Sequence, residues 1–109
     1  MDFISKELLE YIKLHSEKEP KLLQKLSKET YQKTMHPRML TGHLVGRLLS
    51  FLSKIICPKK ILEIGTFTGY SALCLAEGLD KNGLLHTIDE NEELIDFQKK
   101  YFNKSPYKN

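Results

Sequence analysis

The pattern of hydrophobic and polar positions changes near residue 57. Before that point apolar residues recur every three or four positions, which predicts amphipathic helices. After it, two short apolar runs alternate with helical patterns, which predicts strands joined by a crossover helix. The predicted organisation is an N-terminal helical segment over residues 1–57 and a βαβα unit over residues 58–109, an α/β arrangement.

Three helices are predicted in the first part. The apolar residues that mark the first helix are Phe3, Ile4, Leu8, Tyr11 and Ile12. A second helix follows Pro20, a residue favoured in the first helical turn, and ends before Pro37, because a residue that precedes proline avoids the α region. The third covers residues 42–56 and is apolar on more than one side, so we expect it to be well buried against the sheet.

Chemistry is concentrated where the second part begins. The predicted strand Lys60–Ile64 leads into a glycine turn, and a helix follows over residues 70–77. A second strand, Leu84–Ile88, ends on Asp89. A strand, a glycine turn and a helix start bring backbone amides up to a nucleotide-like ligand, and an acid at the end of the next strand binds a ribose. These residues predict a site for an adenosine-type cofactor.

The glycine spacing indicates which cofactor. Gly65 and Gly69 form a Gly-x-x-x-Gly turn, whereas a dinucleotide site has a further glycine that lets the pyrophosphate approach the helix. Phe67 fills that place, and Glu63 would repel phosphate but suits a cation. A ligand with adenine, ribose and positive charge, but no phosphate, is S-adenosylmethionine, which these residues favour over NAD or FAD. The alternative interpretation is that Glu63, Ile64 and Gly65 form an ordinary strand end, as found in any α/β protein.

Residues of the first strand and turn are candidate cofactor contacts. Gly65 lets the backbone approach the ligand, Thr66 can offer an amide, and Gly69 closes the turn. Glu63 is predicted to face the cationic amino group of the methionine moiety. Its alternative role is to cap nearby amides at the strand end.

Three further side chains are candidates beyond the turn. Ser71, near the helix start, can donate to the carboxylate of the methionine moiety, which the helix N-terminus also favours. Its alternative role is a plain N-cap. Asp89 is expected to accept hydrogen bonds from the ribose hydroxyls, and its neighbour Glu90 is the alternative residue for that role.

The motif EIGTFTGYSA at 63–72, followed by LHTID at 85–89, resembles the cation-dependent small-molecule O-methyltransferases. These are the caffeoyl-CoA and catechol O-methyltransferases and their bacterial relatives, and residues 38–49 are also similar to them. The resemblance extends over about residues 10–105. It implies a class-I S-adenosylmethionine methyltransferase (Rossmann-like) fold, truncated, with three N-terminal helices before a βαβα unit. It also implies that Thr41 contacts the cofactor, although its position alone suggests a helix N-cap.

The resemblance implies methyl transfer from S-adenosylmethionine to a hydroxyl of a small, catechol-like acceptor, assisted by a divalent cation. In that family the metal ligands and the catalytic lysine follow the point where this chain ends. No catalytic residue and no metal ligand is therefore assigned, and we expect an N-terminal half of an enzyme. The alternatives are a cofactor-binding or interaction remnant without turnover, and an NAD-binding module.

Composition narrows the expected partners. The formal net charge is +3, and lysines and glutamates are interspersed without aromatic residues, so we expect a solvated helix face and no nucleic-acid partner. The first residues carry charge and lack a long apolar core, so we expect no signal peptide. No run of 18 apolar residues is present, so we expect a cytoplasmic protein without a membrane span. The resemblance adds a possible homodimer.

Overall fold

Five α-helices and two strands follow one another within residues 4–107, the part of the chain that the computed structural model describes. They are α1 (Lys6–Leu14), α2 (Lys21–Lys33), α3 (His43–Ile56), β1 (Lys60–Ile64), α4 (Tyr70–Ala76), β2 (Leu84–Ile88) and α5 (Ile95–Lys104). Both predicted strands are confirmed, with the predicted first and last residues. The presence of three helices before them is also confirmed. Phe3 and the outer limits of both predicted segments lie outside the described residues, and the division at residue 57 stays a prediction.

The two strands pair in parallel, with Lys60 opposite Leu84 and Ile64 opposite Ile88. Helix α4 makes the crossover between them. Alternate residues of each strand are half-buried on the side of α4, and those between them are exposed on the other face of the sheet. The large apolar side chains exposed on that open face are Leu62, Ile64, Leu84 and Ile88.

The hydrophobic core lies between α2, α4 and α5. Its buried members are Leu23, Leu26, Tyr70, Leu73, Cys74 and Tyr101. Helix α4 contributes half of them, because this short helix is covered by other helices on one side and by the sheet on the other. Two residues of the turn that precedes α4, Thr66 and Thr68, are buried as well.

The expectation that the third helix would be well buried is wrong for its apolar side. The large side chains exposed on α3 are Val45, Leu48, Phe51, Leu52, Ile55 and Ile56. Its buried side is small or polar, and consists of Gly46, Arg47, Ser50 and Ser53. Helix α4 approaches so closely that a Cβ on Gly46 would lie 2.7 Å from the Tyr70 ring. The small and polar side of α3 is therefore the buried one because it allows α4 to pack closely.

The Arg47 guanidinium lies at this helix contact and bonds the carboxylate of Glu77, which follows α4. Glu17 reaches the same guanidinium at 2.6 Å. The hydrogen bonds that Arg47 donates to the Glu77 carboxylate raise the pKa of Arg47 above its usual range. The arginine side chain is 7% exposed, as against 16% for Glu77 and 62% for Glu17, so one partner is enclosed and the other faces solvent.

One segment of residues 4–107, Pro37–Ile56, is long and apolar enough to cross a membrane by length and composition alone. It includes a short 3-10 turn, Pro37–Met39, and Gly42 at a φ of 85°, so the regular helix is only the 14 residues of α3. A helix of that length is about 21 Å long, shorter than the roughly 30 Å hydrocarbon core of a bilayer. The expected absence of a membrane span stays a prediction.

Candidate functional site

The turn between β1 and α4 adopts a left-handed backbone at three positions: Gly65 (φ 99°), Phe67 (φ 48°) and Gly69 (φ 95°). Glycine adopts this conformation freely, but a residue with a side chain does so at a cost. Hydrogen bonds hold the backbone of Phe67 on both sides of its Cα. Its amide donates to the Asp89 carboxylate at 2.8 Å, and its carbonyl accepts from the Gln98 side chain at 2.5 Å.

The two glycines of the turn meet different surroundings. A Cβ on Gly65 would have no atom of the described chain within 4 Å, so this backbone faces open space. A Cβ on Gly69 would lie 2.6 Å from the ring of Phe102 on α5. Gly65 is thus placed to admit a ligand, whereas Gly69 is required for the turn and for packing against α5.

The Glu63 carboxylate is held by hydroxyl groups from two elements. One oxygen accepts from Ser71 at 2.5 Å and the other from Thr87 at 2.8 Å. The N-cap of α4 is Gly69, so the alternative prediction that Ser71 is the N-cap is wrong. Likewise, these two bonds to Glu63 come from hydroxyls, not from the amides that its alternative role required. Because an ionised carboxylate offers about four acceptor positions, the donors within residues 4–107 occupy about half of them.

Thr87 was not predicted as a site residue. It occupies the β2 position directly opposite Glu63, and its hydroxyl also lies 2.6 Å from that of the buried Thr66. The alternation of β2 places Thr87 on one face with Leu85, but the sequence carries no signal for the register that sets it beside the acid.

Asp89 lies against the far side of the same turn. Its carboxylate accepts the amides of Asn91 at 3.1 Å and of Phe67 at 2.8 Å. These bonds, that of Asn91 first, lower the pKa of Asp89. The side chain is exposed and keeps further acceptor positions towards solvent.

Two cavities adjoin the turn, and both are lined by Met39 and Phe67. The smaller, about 50 Å³, is also lined by Met39's neighbour Leu40 and by Thr41, Gly65, Thr66, Thr68, Tyr70 and Ser71. The larger, about 390 Å³, is also lined by Lys33, Thr34, Met35, His36, Asp89, Glu90, Asn91, Glu93 and Leu94. The larger cavity is by itself in the size range of small-molecule sites.

The structure therefore brings most of the predicted residues together. Thr41 and Ser71 both line the smaller cavity. The N-cap of α3 is Gly42, so the alternative role of Thr41 as a cap is wrong. Asp89 and Glu90 both line the larger cavity, but only Asp89 bonds the turn. Gly69 and Glu63 line neither cavity, and Glu63 is connected to the smaller one through its bond with Ser71.

A divalent cation has no evident place among these side chains. Within residues 4–107, no three His, Cys, Asp or Glu side chains are grouped closely enough to hold a metal ion. The residues described do not fit a metal site.

Parallel strands, a glycine turn that leads into a helix, and acids at the ends of both strands define the first part of a Rossmann-like cofactor-binding domain. A family model described as O-methyltransferase matches residues 13–109. The chain belongs to the O-methyltransferase family, which confirms the resemblance seen in the sequence.

Individual relatives agree with this membership. The chain is 43% identical over 60 residues to a caffeoyl-CoA O-methyltransferase of Stellaria longipes, a match that covers 53% of this chain and 25% of the relative. It is 36% identical over 86 residues to catechol O-methyltransferase domain-containing protein 1 of Mus musculus, covering 79% of this chain and 32% of the relative. The chain thus spans about a quarter to a third of these two relatives.

Solved structures confirm the fold class. The methyltransferase PaMTH1 of Podospora anserina, crystallised with SAH (S-adenosylhomocysteine), superposes with a TM-score of 0.81 at 25% identity, covering 93% of this chain and 45% of its own. The O-methyltransferase TomG of Streptomyces achromogenes, in complex with SAM (S-adenosylmethionine), gives 0.80 at 28% identity, covering 90% and 44%. The described elements are a partial Rossmann-like methyltransferase fold.

Proposed function

We propose that this chain provides the cofactor-binding part of an S-adenosylmethionine-dependent O-methyltransferase that acts on a small, hydroxylated, catechol-like acceptor. The observation that carries the proposal is the pair of cavities beside the glycine turn: Asp89 lines the larger one, and Ser71, which donates a hydrogen bond to Glu63, lines the smaller one. Glu63 and Asp89 are held in place by the protein's own donors and keep acceptor positions for a ligand. This arrangement suits a ligand with a cationic group and a ribose.

Each predicted contact has a role in this proposal. Glu63 accepts from the ammonium group of the methionine moiety, and Ser71 and Thr41 border the smaller cavity where that moiety lies. The open backbone at Gly65 and the neighbouring Thr66 admit the cofactor close to the turn. Asp89, beside the larger cavity, accepts the ribose hydroxyls.

The cofactor supplies an electrophilic methyl group, and the acceptor hydroxyl takes it up. The residues of this chain orient the methyl donor. Orientation speeds the reaction because it makes the step between donor and acceptor effectively unimolecular. The divalent cation expected from the family finds no ligand group within residues 4–107. We therefore expect the 109-residue chain to bind the cofactor without transferring its methyl group.

We further propose a cytoplasmic protein whose partners are small molecules. The spread of charge over residues 17–33 supports the absence of a nucleic-acid partner, since the lysines of that segment are interspersed with Glu17, Glu19 and Glu29. A position away from the membrane and a homodimer are part of the same proposal.

Calorimetry tests the binding step. The chain is titrated with S-adenosylhomocysteine and, separately, with NAD, and we expect only the first to bind. Tighter binding of NAD would overturn the cofactor assignment, since Phe67 and Glu63 disfavour a pyrophosphate. Incubation with labelled S-adenosylmethionine, magnesium and a catechol tests turnover, and methyl transfer above background would contradict the separation of binding from catalysis.

A second candidate function is a cofactor-binding protein without turnover. It is favoured by the absence of a metal-ligand cluster within residues 4–107. Addition of the C-terminal part of a related O-methyltransferase separates the two candidates. Methyl transfer restored by that addition supports the enzyme, whereas cofactor binding without transfer supports the second candidate.

A further inference from the structure

Thr87 and Glu63 are opposite each other in the two parallel strands, at the last pair but one before the glycine turn. Both side chains are half-buried on the side of the sheet that α4 covers. The Thr87 hydroxyl lies 2.8 Å from one Glu63 oxygen and 2.6 Å from the Thr66 hydroxyl. One side chain of β2 thus contacts both the acid of β1 and the turn that follows it.

The direction of these bonds follows from the protons available. A carboxylate only accepts, and a hydroxyl has a single proton, so Thr87 donates to Glu63 and accepts from Thr66. Ser71 donates to the other Glu63 oxygen. The terminal torsion of a glutamate is broad and poorly defined by itself, so a donor on each oxygen is what sets the plane of this carboxylate.

We propose that Thr87 is a positioning residue for Glu63, and through it a determinant of specificity for ligands that carry a cationic amino group. This inference rests on the proposed function, in which Glu63 binds the ammonium group of the cofactor. With Thr87 in place, the free acceptor positions of Glu63 keep one direction. Without its hydroxyl, the carboxylate is held by Ser71 alone, and Thr66 loses its acceptor.

The test compares two variants and two ligands. Thr87→Val keeps the shape and suits a strand but removes the hydroxyl, whereas Thr87→Ser keeps the hydroxyl. S-adenosylhomocysteine carries the amino-acid group, and 5′-methylthioadenosine has the same adenosine and thioether without it. Dissociation constants are measured by calorimetry for both ligands with the wild type and each variant, and circular dichroism verifies the fold.

We expect Thr87→Val to weaken the binding of S-adenosylhomocysteine roughly five- to tenfold, within the range of a lost charged hydrogen bond. The dissociation constant of 5′-methylthioadenosine should stay unchanged. Thr87→Ser should restore the wild-type preference. In a Glu63→Gln background, Thr87→Val should add little, because the residue acts through Glu63.

Three results would overturn the inference. Equal weakening of both ligands by Thr87→Val would show a purely structural role. An unchanged affinity for S-adenosylhomocysteine, with the wild type binding well, would remove the role of Thr87 and leave the proposed function standing. A wild-type chain that binds neither ligand would remove both the proposed function and the inference that rests on it.

Discussion

The backbone amide of Phe67 and the carboxylate of Asp89 are joined by a hydrogen bond of 2.8 Å that ties the glycine turn to the end of β2. Phe67 has a left-handed backbone, which is costly for a residue with a side chain, so this bond helps to hold the turn in its shape. Asp89 consequently has two tasks in the proposed site, since the same carboxylate fixes the turn and faces the larger cavity.

Replacement of Asp89 should therefore have a large effect on binding. We expect Asp89→Ala to weaken the binding of S-adenosylhomocysteine roughly ten- to hundredfold, about 1.5–3 kcal/mol, because hydrogen bonds to a charged group are lost. Calorimetry measures the change. Glu90→Ala is the matched control, since Glu90 lines the same cavity, and a larger effect of that variant would assign the ribose to the neighbouring acid.

The contact between α3 and α4 should depend on Glu77 much more than on Glu17. Both carboxylates bond Arg47, but Glu77 is enclosed and Glu17 is 62% exposed. Removing the partner of a buried charge costs about 3–5 kcal/mol, whereas an exposed ion pair contributes about 0–1 kcal/mol. Urea unfolding of Glu77→Gln and Glu17→Gln measures the two losses in the free energy of unfolding. Equal losses would contradict the enclosed position of this pair.

Stability should fall in acid partly because of Glu29. Hydrogen bonds from Lys100, first, and from Tyr101 lower the pKa of Glu29 from 4.5 to about 2, and so connect α2 to α5. A carboxyl whose pKa is lowered by folding stabilises the fold above its unfolded pKa, and this contribution is lost as the pH falls from about 4.5 to about 2. Urea unfolding measured across that range should show the loss.

The Glu29→Gln variant should be less stable than the wild type near neutral pH by about 1–2 kcal/mol. The difference should shrink as the pH falls through the same range, since the wild type then loses the charged carboxylate as well. A constant difference from neutral pH down to about pH 2 would exclude Glu29 as a source of the acid sensitivity.

The exposed apolar side of α3 and the open face of the sheet should cause self-association. Apolar patches of this kind, together with the strand edges of a two-stranded sheet, favour contact between chains. Sedimentation velocity should show oligomers of the 109-residue chain, and the double variant Phe51→Lys and Ile55→Lys should shift them towards monomer. Leu14→Lys, on an exposed leucine of α1, is the control that should leave the distribution unchanged. A monomeric wild type would contradict this prediction.

Local patterns were enough to predict the elements around the site. The strands Lys60–Ile64 and Leu84–Ile88 agree with their predicted bounds, because each is a short, mainly apolar run with glycine, proline or an acid at or near its ends. The positions of Gly65 and Asp89 at the strand ends follow from the same runs. These features depend on residues that are neighbours along the chain, where steric and hydrogen-bonding preferences act directly.

Contacts between distant parts of the chain were decided by the tertiary structure. Thr87 is a site neighbour only because the register sets it opposite Glu63, and nothing within β2 specifies that register. The buried side of α3 was misjudged because its apolar residues cover more than one side, while close packing against α4 requires the small residue Gly46. The sequence by itself determined the elements, the turn and the acids at the strand ends. The tertiary structure decided which of these side chains meet, because burial and pairing depend on which surface approaches and how closely.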